Sequence, residues 1–65
     1  MMKEYKVIVY DKITNNEEYE YFTNKKESIA YAKNMKDDNN SISVEKITYD
    51  YEDDYEDIEY ILELD

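Results

Sequence analysis

Hydrophobic and polar residues alternate along much of this chain, in short runs separated by asparagine pairs. Residues 3–12 and residues 18–22 each alternate with a period of two, which is typical of β-strands with one buried face. The pair Asn15-Asn16 lies between these runs, and asparagine tolerates the left-handed backbone conformation that tight turns require. The two runs therefore predict a β-hairpin.

The spacing of apolar residues changes to that of a helix after this hairpin. Asn24, followed three residues later by Glu27, resembles an N-terminal capping box, with Thr23 as the competing cap. We expect the helix to end near Asp37, because acidic residues are unfavourable at a helix C-terminus, and the pair Asn39-Asn40 marks the next turn. The apolar stripe of the helix consists of Ile29, Ala32 and Met35, with Ala30 or Tyr31 beside it.

Residues 42–51 predict a third strand whose alternation is interrupted. Ile42 and Val44 share one parity, whereas the apolar residues from Ile47 onward share the other. A β-bulge near Glu45-Lys46 would restore a single inward face. The alternatives are two separate strands or one strand buried on both sides.

The C-terminal segment fits two kinds of structure. Residues 52–57 predict a charged link, and residues 58–65 then alternate as a strand does. We favour the strand, although a helical spacing also joins Tyr51, Tyr55, Ile58 and Leu62.

These elements predict one small α+β domain, residues 1–65, in the order β-β-α-β followed by a terminal strand or helix. The economical arrangement is an antiparallel sheet of three to four strands with one helix packed on it. The other face of the sheet would carry several tyrosines, to be covered by the terminal segment or by a second copy of the chain. The expected core consists of Val7, Val9, Phe22, Ile29, Ala32, Met35, Ile42 and Val44.

The composition argues against most kinds of catalytic and metal site. The chain has no cysteine, histidine or glycine, so it cannot build the usual nucleophile–base pairs, zinc sites or glycine-based phosphate loops. A calcium loop counted from Asp50 also fails, because Tyr55 stands where glycine is needed. We therefore expect no enzyme, no cofactor and no metal site. The lack of a signal peptide or membrane span predicts a cytoplasmic protein.

Negative charge is concentrated at the C-terminal end, in an acidic segment that comprises residues 50–65. This segment contains nine of the eighteen acidic residues and none of the eight lysines, so residues 1–49 are nearly neutral. The formal net charge of −10 disfavours direct binding to nucleic acid or to anionic membranes and favours a basic partner. On a strand, the acids that alternate from Asp50 to Glu56 would lie roughly 6.6–6.8 Å apart on one face. Such a line of charges imitates phosphates, and interleaved tyrosines could stack on arginine side chains.

A very short, cysteine-free, strongly acidic chain rich in Asn, Lys and Ile resembles the small phage and mobile-element inhibitors of host nucleases, the anti-CRISPR and anti-restriction DNA mimics. The resemblance is one of class, carried by residues 50–59 without a diagnostic motif. It implies a stoichiometric inhibitor that occludes the nucleic-acid-binding groove of a host defence enzyme in the host cytoplasm. The expected partner-binding residues are Asp50, Tyr51, Glu52, Asp53, Asp54, Tyr55, Glu56, Asp57 and Glu59.

Two other hypotheses fit the same residues. One is a homodimeric interaction or assembly module, joined through the tyrosine-rich sheet face or the terminal strand, in which the acidic run serves only solubility. The other is an acidic regulatory partner of a basic protein outside host defence.

Overall fold

The computed structural model describes residues 2–65, which form one antiparallel sheet and one helix. The strand order in the sheet is β2-β1-β3-β4, and every neighbouring pair is antiparallel. The predicted α+β fold is thus confirmed, and the C-terminal segment is a strand and not a helix. In chain order the elements are β1 (Met2–Asp11), β2 (Glu17–Phe22), α1 (Lys25–Met35), β3 (Asn40–Asp50) and β4 (Tyr55–Leu64).

The core lies between α1 and one face of the sheet. The helix connects the edge strand β2 to the central strand β3 and packs across β1 on the way. The fully or almost fully buried apolar residues are Val7, Ala32, Ile42 and Val44. Around them pack Val9, Phe22, Tyr31, Met35, Ile61, Leu62 and Leu64.

One predicted core residue is wrong. Ile29 is only half-buried and is not among the residues that pack against this cluster. The buried side of the helix is centred instead on Ser28 and Ala32. The Ser28 hydroxyl can be buried because it donates a hydrogen bond of 2.6 Å to the backbone carbonyl of Lys25.

Both ends of α1 are fixed by asparagine side chains. At the N-terminus, the Asn24 Oδ1 accepts a hydrogen bond of 3.1 Å from the backbone N–H of Glu27, as predicted. The helix ends at Met35, slightly before the predicted Asp37, because Asn40 binds the loop that follows. The Asn40 Nδ2 donates to the Met35 carbonyl at 2.8 Å, and its Oδ1 accepts from the Asp37 N–H at 3.0 Å.

Strand β3 continues without a break through the point where its alternation is interrupted. It pairs with β1 in one register from residue 40 to residue 49. The predicted bulge near Glu45-Lys46 is therefore wrong for β3. The extra residue belongs to β4, where Ile61 lies between the residues that pair with Val44 and Glu45.

The apolar side of the β3–β4 hairpin consequently changes along its length. Ile42 and Val44 are buried against α1. Because side chains alternate with an unbroken period of two, Ile47 and Tyr49 face the opposite side of the sheet, as does Ile58, the β4 partner of Ile47. The half of the hairpin far from α1 thus carries its apolar residues on the face that the helix does not cover.

The strands run along the longest dimension of the molecule, which measures 42 × 23 × 14 Å. Only this dimension accommodates an eleven-residue strand, which spans roughly 36 Å. The turn between β1 and β2 therefore lies at one end, and the turn between β3 and β4 at the other. In the described part of the chain, no helix has the length and apolar character that crossing a membrane requires.

Candidate partner-binding site

The predicted site residues all lie at one end of the sheet, in a region that we call the acidic tip (residues 50–59). Asp50 is half-buried, and every other residue of the tip is exposed. The tip consists of the last residue of β3, the turn formed by Tyr51, Glu52, Asp53 and Asp54, and the part of β4 that contains Tyr55, Glu56, Asp57 and Glu59.

Two aspartates accept hydrogen bonds that hold the turn of the acidic tip. The Asp50 Oδ1 accepts from the backbone N–H of Glu52 at 3.0 Å. Asp54 adopts a left-handed conformation with φ of 51°, and its Oδ1 accepts from the Tyr49 hydroxyl at 2.6 Å. This hydrogen bond raises the pKa of Tyr49 above its ordinary value of 10.0, because ionisation would place a phenolate against the carboxylate.

The acids of the tip do not form the predicted single line of charges. The alternation from Asp50 to Glu56 is interrupted by the turn, so these residues do not share one strand face. On β4, Asp57 and Glu59 lie on the same side of the sheet as α1, whereas Glu56 lies on the opposite side. The negative charge therefore surrounds the tip on both faces.

The acidic tip forms no ion pair with the rest of the described chain. Within residues 2–65 the one ion pair joins the Lys12 Nζ to the Asp65 carboxylate at 3.5 Å, at the other end of the sheet. Lys46 is paired with Glu59 in the strand register, but the two side chains form no ion pair. Among the described residues, no group of three or more acidic side chains is arranged to hold a metal ion. Apart from Asp50 and Asp54, which accept hydrogen bonds within the turn, the carboxylates of the tip are thus left for solvent or for a partner.

The two tyrosines of the predicted site point to different sides of the sheet. The Tyr51 ring packs edge-on against Tyr49, with ring centroids 4.6 Å apart, and its hydroxyl donates to the Met2 Sδ at 3.6 Å. Tyr55 is paired with Asp50 on the α1 side and is 61% exposed. Tyr51 therefore extends the uncovered face, whereas Tyr55 does not.

The face of the sheet away from α1, which we call the open face, contains residues that the sequence did not assign to the site. Nothing in the described chain covers it. The signal for this face in the sequence was the change of parity at Ile47, which places apolar residues on the side opposite the core. The open face is formed by Met2, Glu4, Lys6, Ile8, Tyr10, Glu17, Tyr19, Tyr21, Ser41, Ser43, Glu45, Ile47, Tyr49, Glu56, Ile58, Tyr60 and Glu63.

Polar contacts on the open face already join aromatic rings to charged groups. The Lys6 Nζ lies 4.2 Å from the centroid of the Tyr19 ring, which is a cation–π geometry. The Tyr19 hydroxyl donates to the Glu17 carboxylate at 2.6 Å, and this hydrogen bond raises the pKa of Tyr19 above 10.0. A tyrosine of this face can therefore accept a cation on its ring while its hydroxyl is held in place.

No protein-family model, curated protein or solved structure matches this chain significantly.

Proposed function

We propose that this protein is a stoichiometric inhibitor, of phage or mobile-element origin, that occludes the nucleic-acid-binding groove of a host defence enzyme. The observation that carries the proposal is the acidic tip. Its seven carboxylates are concentrated at one end of the sheet and form no ion pair within residues 2–65. Such a cluster repels itself in the free protein, and a basic partner relieves that repulsion.

The shape of the tip fits a groove better than a flat surface. Past Met2, the outermost described residue of the neighbouring strand β1, the β3–β4 hairpin continues through Asp50, Tyr55 and the turn between them, whereas Glu56, Asp57 and Glu59 lie level with residues of β1. Carboxylates on both faces of this end of the sheet meet the opposite walls of a basic groove. A groove lined with lysine and arginine normally receives phosphates, and fixed negative charges take their place. Association is then steered by charge and weakens as salt is added.

Neutralisation of the tip tests the proposal. A variant with Asp53→Asn, Asp54→Asn, Glu56→Gln and Asp57→Asn removes four negative charges and preserves side-chain shape. Immobilised wild-type chain is expected to capture nucleic-acid-binding proteins from a bacterial lysate at low salt. Duplex DNA added to the column should release them, because DNA competes for the same groove. The variant should capture them much more weakly.

A matched variant separates local charge from net charge. Glu18→Gln, Glu20→Gln, Glu27→Gln and Asp38→Asn also remove four negative charges, all from exposed positions outside the tip. This control should capture the same proteins as the wild type. Equal capture by the wild type and the tip variant, or captured proteins that DNA does not release, would contradict the proposal.

The second candidate function is the homodimeric module with a solubilising acidic run. The exposed tyrosines of the open face support it, since interfaces are enriched in tyrosine. It is distinguished by sedimentation equilibrium: a stable dimer whose association is insensitive to salt, together with no capture of basic proteins, would favour it over inhibition.

A further inference from the structure

The open face combines exposed tyrosine and isoleucine side chains with glutamates. Ile58 is 51% exposed and Tyr60 is 72% exposed, on the half of the hairpin that α1 does not cover. Tyr19 and Tyr21 on the far edge strand are exposed to a similar degree. The face lies within a 42 × 23 Å outline, comparable with the roughly 800 Å² that each partner contributes to a standard-size interface.

The charge on the open face determines which partner fits it. The face carries five glutamates, and its one lysine, Lys6, already lies over the Tyr19 ring. A second copy of the chain docked face to face would bring two strongly negative surfaces together, which opposes association. A surface rich in arginine complements the glutamates by charge, and its guanidinium groups stack on tyrosine rings.

A groove in the open face has the size and lining for one basic side chain. Ser41 and Ser43 are small residues of β3, so the surface between their neighbours is lowered into a groove of about 210 Å³. Three glutamates from three different strands line it, together with two tyrosines. The lining residues that lie close enough together to contact one inserted guanidinium are Glu45, Glu63 and Tyr60, on the neighbouring strands β3 and β4.

From these observations we infer that the open face is the surface that holds the partner, and that it binds an arginine-rich protein surface with one arginine inserted in the groove beside Tyr60. The inference rests on the proposed function, because it assumes a basic protein partner. The inference also assigns different roles to the acidic tip and the open face. The acidic tip accelerates the approach of the partner by long-range attraction, and the open face supplies the buried contact that slows its release.

Two exposed residues provide the matched test. Tyr60 lies on the open face, and Ile13, which is equally exposed, lies in the turn between β1 and β2, outside both the open face and the acidic tip. The probe is a fluorescent oligo-arginine peptide, with an oligo-lysine peptide of equal length as comparison, measured by anisotropy at low salt. We expect Tyr60→Ser to weaken oligo-arginine binding roughly two- to fivefold and Ile13→Ser to leave it unchanged. Oligo-lysine should bind more weakly and respond less to Tyr60→Ser.

The position of the bound arginine side chain can also be measured directly by NMR. Nuclear Overhauser effects should join arginine δ-CH₂ protons of the probe to the ring of Tyr60 and not to the side chain of Ile13. Circular dichroism confirms that each variant is folded, which the high exposure of both side chains favours.

The outcomes separate the two proposals. If Tyr60→Ser leaves oligo-arginine affinity unchanged, while Glu52→Gln, Asp53→Asn and Asp57→Asn together abolish it without altering any residue of the open face, the inference is wrong and the proposed function is retained. If the tip variant binds as the wild type does, the proposed function fails independently of the result for Tyr60→Ser. A dimer in sedimentation equilibrium that dissociates on Tyr60→Ser would place a second copy on the open face and overturn the inference.

Discussion

The two ends of the sheet are each closed by a hairpin turn, and the two turns are built alike. In each, an aspartate Oδ1 accepts from the backbone N–H two residues later, at 2.9 Å for Asp11 and 3.0 Å for Asp50. In each, a tyrosine hydroxyl donates, over 2.6 Å, to the Oδ1 of a residue five positions later. That residue has a positive φ in both turns, 62° at Asn15 and 51° at Asp54.

The residues between these fixed positions differ in charge. The first turn contains Lys12, which pairs with Asp65, whereas the acidic tip contains Glu52 and Asp53 at unconstrained positions. The first turn shows that neither acid is required for this backbone geometry. The turn geometry therefore requires only the aspartate, the tyrosine and the left-handed residue. This supports a role outside the fold for the additional acids, Glu52 and Asp53.

The largest expected difference between the two ends concerns apolar burial along the hairpin. Ile42, at the end covered by α1, is 2% exposed, and Ile58, towards the tip, is 51% exposed. Ile42→Ala should lower the free energy of unfolding by about 2–5 kcal/mol, because it leaves a cavity, and Ile58→Ala by less than about 1 kcal/mol. Urea denaturation measures both. Similar losses would mean that the open face is buried in solution.

A smaller effect is expected at Asn40, which fixes the covered end and has no counterpart at the tip. Asn40→Ala leaves the Met35 carbonyl and the Asp37 N–H without their hydrogen-bond partner in a site that is 7% exposed. Stability should fall by about 1–3 kcal/mol. Asn39→Ala, at the exposed neighbouring position, is the control and should change little in the same thermal denaturation experiment. An equal loss in both variants would attribute the effect to the loop backbone.

Most of the elements could be predicted from the sequence. The face of the sheet on which the β3–β4 hairpin places its apolar residues could not. Alternation and the Asn24 cap are local signals, so the strands and the helix start could be read from them. Whether the change of parity at Ile47 means a bulge or a change of face depends on the register between β3 and β1, which is a long-range property. For the same reason, the local sequence does not identify Ile61 as the bulged residue of β4.

The local geometry of the acidic segment was only partly predicted. Residues 52–57 were expected to form a charged link, and the structure has a turn at residues 51–54 followed by β4, whereas the single line of charges assumed that residues 50–56 form one strand. The spacing Tyr-Asp-x-x-x-Asx, which starts at both Tyr10 and Tyr49, was a usable signal that the second segment turns as the first one does. Ser28 was missed in the core because burial of a hydroxyl depends on a hydrogen bond that the pattern does not reveal.

The shared turn construction predicts equal responses at its two left-handed positions. Asn15→Ala and Asp54→Ala should each lower the free energy of unfolding by about 1 kcal/mol, because a Cβ without a polar group disfavours positive φ. Asn15→Gly and Asp54→Gly keep that conformation accessible and should retain more of the stability. Thermal denaturation of the four variants measures the effect. A loss at Asn15 with none at Asp54 would show that the tip does not share the construction of the first turn.

The smallest effect is electrostatic and belongs to the tip alone, because its left-handed residue is charged and that of the first turn is not. Asp54→Asn should keep the turn and lower the pKa of Tyr49 towards 10.0. Asp53→Asn is the control, because it also removes one negative charge but leaves the Tyr49–Asp54 hydrogen bond in place. The pKa of Tyr49 should stay raised in that variant. NMR titration of the Tyr49 ring measures both.

The same pKa gives the sign of a pH effect on stability. Because the pKa of Tyr49 is higher in the folded than in the unfolded chain, its contribution is complete below pH 10 and is lost as the pH rises through the folded value. Wild-type stability should therefore decline above pH 10, and Asp54→Asn should reduce that decline. Part of the decline should persist, since the hydrogen bond to Glu17 also raises the pKa of Tyr19. An unchanged alkaline decline in Asp54→Asn would mean that the Tyr49–Asp54 hydrogen bond does not form in solution, and the comparison of the two turns would then rest on their backbones alone.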